Sequence, residues 1–197
     1  MFIDTVNPDE ADGAAAEIYE TVSASWGFLP NWARVFAVRP RVFAAWQQLN
    51  GTLAHDMDRR RYELATLAAA CELGSTYCAL AHTKVLRDRF HSDEEIAGIV
   101  TDPDHSGVLD ATDRAVMTFA ARVARDATTV TPADLDTLRE CGLSDPEILD
   151  VAMAAAARSF FTKVLDSVGT AADAPLGALF EPAVTAALTV GRPIADE

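Results

Sequence analysis

An all-α domain is the fold class this sequence predicts, on three observations. Ala, Leu, Arg and Glu dominate its segments, no long run alternates apolar with polar side chains, and Gly, Pro and capping residues punctuate the chain at helical intervals. The 197 residues, half of them apolar, suit one domain with or without a tail. A chain of this mass buries roughly 70% of the surface its unfolded form exposes, so a single-domain helical bundle needs neither metal nor disulfide for stability.

The elements follow in order. Asn7, Pro8 and Glu10 resemble a capping box and open a helix carrying Ala14, Ile18, Tyr19 and Val22, which Gly27 and Pro30 end. A short helix over 31–38 stops before Pro40, and a longer one carries Val42, Phe43, Trp46 and Leu49 toward Leu53, its aromatics in the core. The next, over 59–73, stops at Gly74, which adopts the left-handed conformation that closes a helix; Ser75 then caps a helix running to about Arg89. Ser92 with Glu95 caps a short helix ending near Val100, before the polar loop TDPDHSG. ATDRAVMTFAARVARD is amphipathic, Pro132 opens a helix through Leu138, and Asp145 to Val168 form the longest one. Residues 1–169 therefore make up the domain. The tail, 170–197, is rich in Ala, Pro and Gly yet apolar, and is expected to dock on the domain or on a neighbouring subunit.

A formal net charge of −14 repels phosphate backbones and anionic lipid, which excludes nucleic acid and membrane surfaces as partners. The start MFIDTVNPDEADG has no basic or apolar leader, and no apolar run approaches the roughly 20 residues needed to span a bilayer, so a cytoplasmic protein is expected. Cys71, Cys78 and Cys141 are too few and too odd in number for a secreted disulfide framework, and are read as reduced thiols.

The segment GSTYCALAH holds the chemistry. With Ser75 at the N-cap, Cys78 is the third helical residue, where free N–H groups and the helix dipole favour a thiolate. His82 lies one turn on, on the same face, in position to exchange a proton with the thiol directly or through one water. Glu63, from the preceding helix, is placed to orient the imidazole if the two helices fold back after Gly74. Spacing alone favours a buried packing cysteine and a hydrogen-bonded histidine.

Glu63, Ser75, Cys78 and His82, at these spacings, resemble the signature of the alkylhydroperoxidase D and carboxymuconolactone decarboxylase superfamily, which reads Glu, Cys-x-x-Cys, His. GFLPNWARVFAVRP is similar to a Gly-x-x-Pro-Asn segment of its peroxidase-related branch, and FAARVARDATTVTPADLDTLRECGLSDPEILDVA to that branch's C-terminal half, so the resemblance spans about 8–169. It implies an all-helical, homo-oligomeric, alkylhydroperoxidase D-like bundle. Its second motif cysteine is the nucleophile and its Glu and His a proton relay, roles that fall on Cys78, Glu63 and His82. Ser75 replaces the first motif cysteine, and a hydroxyl forms no disulfide, so the two-thiol cycle does not run through this pair.

Cys71 is a candidate resolving thiol, although seven residues of continuous helix, about 10 Å, exceed disulfide reach without a bend at Gly74. Tyr77 is a candidate donor to substrate or a packing aromatic. Arg59, Arg60 and Arg61 read as a solvated run paired with Asp56, Asp58 and nearby acids, or as a basic group that attracts an anionic substrate to a pocket mouth. His55, His91 and His105 lack zinc spacing, so neither metal nor cofactor is expected. Phe160 and Phe161 are core residues or walls of a thiol pocket.

Three functions fit. In the first, Cys78 reduces a peroxide or another soft electrophile with His82 and Glu63 moving the proton, Ser75 donating to the thiolate and an external thiol as reductant. In the second, Glu63 and His82 perform acid–base decarboxylation or isomerisation of a small organic acid. The third is a non-catalytic oligomeric binding protein.

Overall fold

The computed structural model describes residues 1–196, and these form helices and turns with no strand among them. In chain order the α-helices are α1 (Gly13–Trp26), α2 (Asn31–Ala37), α3 (Pro40–Asp56), α4 (Arg59–Glu72), α5 (Thr76–Arg89), α6 (Asp93–Thr101), α7 (Ala111–Asp126), α8 (Pro132–Glu140), α9 (Asp145–Ser167), α10 (Ala174–Gly177) and α11 (Pro182–Leu188). None is long and apolar enough to cross a membrane.

The centre is α4. Every residue from Tyr62 to Ala70 is buried, because α3, α5, α7 and α9 surround it. A helix covered on all sides needs no polar face, which explains the run of alanines and the lack of an apolar stripe. By contrast α7 is strongly amphipathic and turns Val116, Phe119 and Ala120 inward. Arg60 joins these helices through a two-pronged ion pair with the buried Asp113, at 2.7 and 2.8 Å. That geometry suits the planar guanidinium.

Two apolar clusters share α4. One joins α2, α3, α5, α6 and the C-terminal segment around Phe36, Phe43, Leu80 and Leu176; the other joins α4, α7, α8 and α9 around Phe119, Leu138 and Val151. At the start of the chain, Asn7 caps only a 3-10 turn over Pro8–Glu10, and α1 begins separately at Gly13 after Asp12. On α3 the aromatics Phe43 and Trp46 are buried, whereas Val42 and Leu49 are exposed, since they lie off the face that meets α4 and α9.

Residues 170–196 lie against α5 and α6 of the same chain, where Leu176, Val184 and Leu188 are buried. The segment crosses the α4–α5 turn in close backbone contact: a Cβ on Gly191 would stand 1.8 Å from the Gly74 carbonyl oxygen, so only glycine fits. The Gly191 amide also donates to Thr76 Oγ1 at 3.1 Å, next to the first turn of α5. Near the other end of the chain the Phe2 amide donates to the Val168 carbonyl at 2.7 Å.

Candidate active site

The site is built on the α4–α5 turn. Gly74, at φ 67°, reverses the chain, and the Ser75 amide reaches back to the Ala70 carbonyl at 2.9 Å. This closing motif lays α5 against α4. Cys78 becomes the third residue of α5, and only 2% of its surface is exposed. The expected Ser75 side-chain cap does not form, and the Ser75 hydroxyl is buried without a partner. Its ψ of 96° differs from the 166° of Ser92, whose hydroxyl does reach the third helical amide. Donation from Ser75 to the thiolate is likewise absent.

The sulfur meets polar groups from α9 instead. Thr162 Oγ1 donates to it at 3.4 Å, and Arg158 Nη1 lies 3.8 Å away. The guanidinium sits 5.4 Å from the ring centre of Phe161 and 5.8 Å from that of Trp46, and its Nη2 reaches Asn50 Oδ1 at 3.4 Å. Asn50 is fixed in turn by the Tyr62 hydroxyl at 2.6 Å. Arg158 Nε is buried and unpaired, and no described carboxylate forms an ion pair with this arginine. Burial opposes its charge, but the neighbouring Cys78 and Tyr62 outweigh that penalty and hold it firmly cationic. A buried cation without a carboxylate demands another anion.

Glu63 and His82 meet across the same two helices. Glu63 Oε2 lies 2.6 Å from His82 Nδ1, and Arg59 Nη2 lies 2.7 Å from Glu63 Oε1. Thr66 Oγ1 also touches Nδ1, at 3.0 Å, while bonding the Tyr62 carbonyl. Burial pushes the Glu63 carboxyl up, yet His82, Arg59 and Arg158 outweigh it and hold it below its ordinary value. Burial and the Arg158 charge push His82 down against the pull of Glu63. An ionised carboxylate only accepts, so the network assigns the proton of a neutral imidazole to Nδ1 and leaves Nε2 as the basic nitrogen.

Cys78, His82, Glu63, Arg59 and Arg158 all line one cavity of about 370 Å³. Its walls are largely aromatic, with Trp32, Trp46, Tyr62, Tyr77 and Phe161, and its exposed lining residues are Gln47 and Gly51, one turn apart on α3. Tyr77 is committed elsewhere. Its hydroxyl donates to Asp173 Oδ2 and accepts from the Trp32 amide at 3.4 Å, while the Asn31 amide bonds the other Asp173 oxygen at 3.0 Å. Burial, reinforced by Asp173, pushes the Tyr77 hydroxyl well above its ordinary value. The phenol thus ties the cavity wall to the C-terminal segment instead of facing a ligand as a free donor.

Of the other sequence candidates, Arg59 and Phe161 line this cavity and the rest lie apart from it. Cys71, on α4, is not among its lining residues, and burial pushes its thiol up to about 11. Cys141 sits beyond the end of α8, with its sulfur 3.8 Å from the Ala111 carbonyl. The three arginines do not form one solvated run: Arg59 faces Glu63, Arg60 binds Asp113, and Arg61 pairs with Glu147. Phe160 is 44% exposed, because the helical turn that directs Phe161 into the cavity directs its neighbour toward solvent. Among the described residues, no group of three His, Cys, Asp or Glu side chains is arranged to hold a metal.

Arg158, Thr162 and Asn50 were not singled out by the sequence reading. A signal for the first two exists: Val151, Ala154, Ala155, Arg158, Thr162 and Leu165 recur at helical spacing on the buried face of α9, so one arginine occupies an otherwise apolar or small stripe.

Comparisons with known proteins bear on the fold and on the segment that carries these residues. Residues 40–104, which hold Glu63, Cys78 and His82, match the Carboxymuconolactone decarboxylase family. No curated protein matches the chain in sequence. Among solved structures, the alkylhydroperoxidase AhpD core of an uncharacterised peroxidase-related protein from Ralstonia eutropha JMP134 superposes with a TM-score of 0.78 at 20% identity, covering 89% of this chain and 93% of that one. A peroxidase-related protein from Silicibacter sp. TM1040 gives 0.65 at 19% identity over 87% and 93%. The debrominase Bmp8, in complex with 2,3,4-tribromopyrrole, gives 0.73 at 13% identity over 95% and 96%. The fold is therefore that of the AhpD-like all-α proteins.

Proposed function

From a chain that carries a carboxymuconolactone decarboxylase family segment on an AhpD-like fold, we infer a thiol-dependent oxidoreductase that reduces an organic hydroperoxide at Cys78. The observation that carries this reading is the cavity lining: a sulfur beside an arginine that has no carboxylate, with the Glu63–His82 pair bordering the same space. Arg158 is the counter-ion of the thiolate. Glu63 fixes the His82 tautomer, so that Nε2 takes the thiol proton.

The thiolate attacks the terminal peroxide oxygen, the O–O bond breaks, and the electron pair leaves on the alkoxide. Protonated His82 returns the proton and releases an alcohol. Cysteine is thereby oxidised to a sulfenic acid and the peroxide is reduced. With Ser75 in place of a second motif cysteine, the reducing equivalents come from an external thiol. As thiolate and then alkoxide form, Arg158 faces negative charge throughout, in a site largely shielded from water where such stabilisation is strongest.

A second substrate class is favoured by the aromatic walls and by the debrominase neighbour. Here the thiolate takes a halogen from a halogenated aromatic, the ring carbon gains the proton, an external thiol displaces halide from the sulfenyl halide to form a mixed disulfide, and a second thiol releases Cys78 as a symmetric disulfide leaves. The acid–base alternative uses Glu63 and His82 but leaves the contact between Arg158 and Cys78 without a role. Self-association of the chain is supported by exposed apolar residues on one helix, Leu149, Met153 and Phe160 of α9.

The test is sulfenic acid trapping with dimedone after exposure to cumene hydroperoxide, alongside consumption of the peroxide. Label on Cys78 and loss of turnover in Cys78→Ser are expected. Unchanged turnover in Cys78→Ser would refute the thiol reading.

A further inference from the structure

Oxidised Cys78 must be reached by its reductant, and the structure restricts what can reach it. Cys78 is 2% exposed and lines the cavity. Inside the chain no second thiol serves: Ser75 occupies the motif position, Cys71 is absent from the cavity lining, and Cys141 packs near Ala111 in another part of the molecule. A cavity of about 370 Å³ has room for a small thiol, whereas a protein cysteine would have to be carried into it on a projecting segment.

The entrance has a feature that folding does not require. Gly51 lies in the interior of α3, where glycine lowers helix stability by about 1 kcal/mol relative to alanine. Neither reason for glycine applies here, since its φ is not positive and an added Cβ meets no atom within 4 Å. Gly51 nevertheless lines the cavity and is exposed, as is Gln47 one turn before it. The missing side chain leaves open space where the cavity lining meets solvent.

Charge adds a second selection. Arg158, buried 3.8 Å from the sulfur with its Nε unpaired and no described carboxylate bridged to it, leaves a positive charge facing the oxidised cysteine. An incoming thiolate, particularly one carrying carboxylates, balances that charge where the low dielectric makes this most favourable.

We propose that Cys78 is regenerated by an anionic low-molecular-weight thiol that enters past Gly51, and not by a protein cysteine or by another cysteine of this chain. The inference rests on the reading of Cys78 as the peroxide-reducing residue. In the first step the thiol sulfur attacks the sulfenic sulfur, forming a mixed disulfide and releasing water. A second molecule of thiol then attacks the mixed disulfide, releases the Cys78 thiol and leaves as the symmetric disulfide.

The experiment treats the full chain with one equivalent of hydrogen peroxide, confirms the sulfenic acid with dimedone, and follows its decay on addition of glutathione, cysteamine or reduced thioredoxin by intact-protein mass spectrometry. Expected are a glutathione adduct mapped to Cys78, a rate with glutathione about tenfold above that with the cationic cysteamine, no reduction by thioredoxin, and the same behaviour in Cys71→Ser. In Gly51→Leu the ratio of the glutathione rate to the peroxide rate falls about tenfold, the scale on which pocket shape discriminates. Reduction by thioredoxin as fast as by glutathione, a Cys78–Cys71 disulfide, or an unchanged ratio in Gly51→Leu would overturn the proposal while leaving the peroxidase reading intact. Absence of any dimedone label would overturn that reading itself, and this proposal with it.

Discussion

The guanidinium of Arg158 lies 3.8 Å from the sulfur of Cys78, and no described carboxylate pairs with it. This relationship joins α9 to α5 and makes a direct prediction. Arg158→Met removes the charge but keeps much of the volume, and exchanging a buried ion for an apolar group of similar size is often tolerated in folding. The alkylation rate of Cys78 by iodoacetamide at pH 7 should fall about tenfold or more, with Arg158→Lys intermediate, because an adjacent cation favours the reactive thiolate. Circular dichroism should show the helices retained in both variants.

The buried histidine sets an acid limit on stability. His82 is held below its ordinary value of 6.5, so as pH drops beneath that value the unfolded chain takes up a proton that the folded chain refuses. Stability should therefore decline from about pH 6.5 downward, by at most about 1.4 kcal/mol per pH unit for one such group. Glu63, held below 4.5, extends the loss further into acid, since the unfolded carboxylate protonates first. Urea unfolding at pH 7.5, 6.5 and 5.5 checks this. His82→Gln should show the shallower decline, the remainder coming in part from His91, which burial and Arg60 also push down.

Tyr77 and Asp173 are both buried, and each satisfies the other. Tyr77→Phe deletes one donor to an enclosed carboxyl, leaving the Asn31 amide as a remaining partner. A loss of about 1–3 kcal/mol in urea unfolding is expected, the penalty for a buried polar group left short of a partner. Because the same hydroxyl accepts from the Trp32 amide, the variant should also raise KM for a bulky hydroperoxide more than it lowers kcat.

Gly51→Ala should stabilise the protein by about 0.5–1 kcal/mol, since alanine is the better helix former and nothing obstructs its methyl group. A rise in the urea midpoint with an unchanged m-value would show it. A decrease would show that α3 does not tolerate a methyl group at this position.

The helical plan was legible because caps and breakers act locally: Gly74, the Ser92–Glu95 box and Pro132 end or begin helices where their own chemistry requires. The meeting of Glu63 with His82 was approachable for the same reason, as it depends on one glycine reversing one helix pair. Arg158 was not read from the sequence, because its partner Cys78 lies 80 positions away and only the packing of α9 against the bundle brings them together. Ser75 shows the opposite failure. Its residue type suits a cap, but the passage of the C-terminal segment over Gly74 and Thr76 accompanies a backbone angle at which the hydroxyl caps nothing. Likewise the arginine triplet looked like one solvated feature, whereas the turn of α4 points its members at three different helices' partners.

The aromatic lining has a practical consequence. The chain contains three tryptophans, and Trp26, Trp32 and Trp46 all border the cavity. Every indole photon this protein emits thus originates in the wall of the cavity that holds the thiol, so ligand entry can be followed by intrinsic fluorescence, without a dye and without altering a single residue.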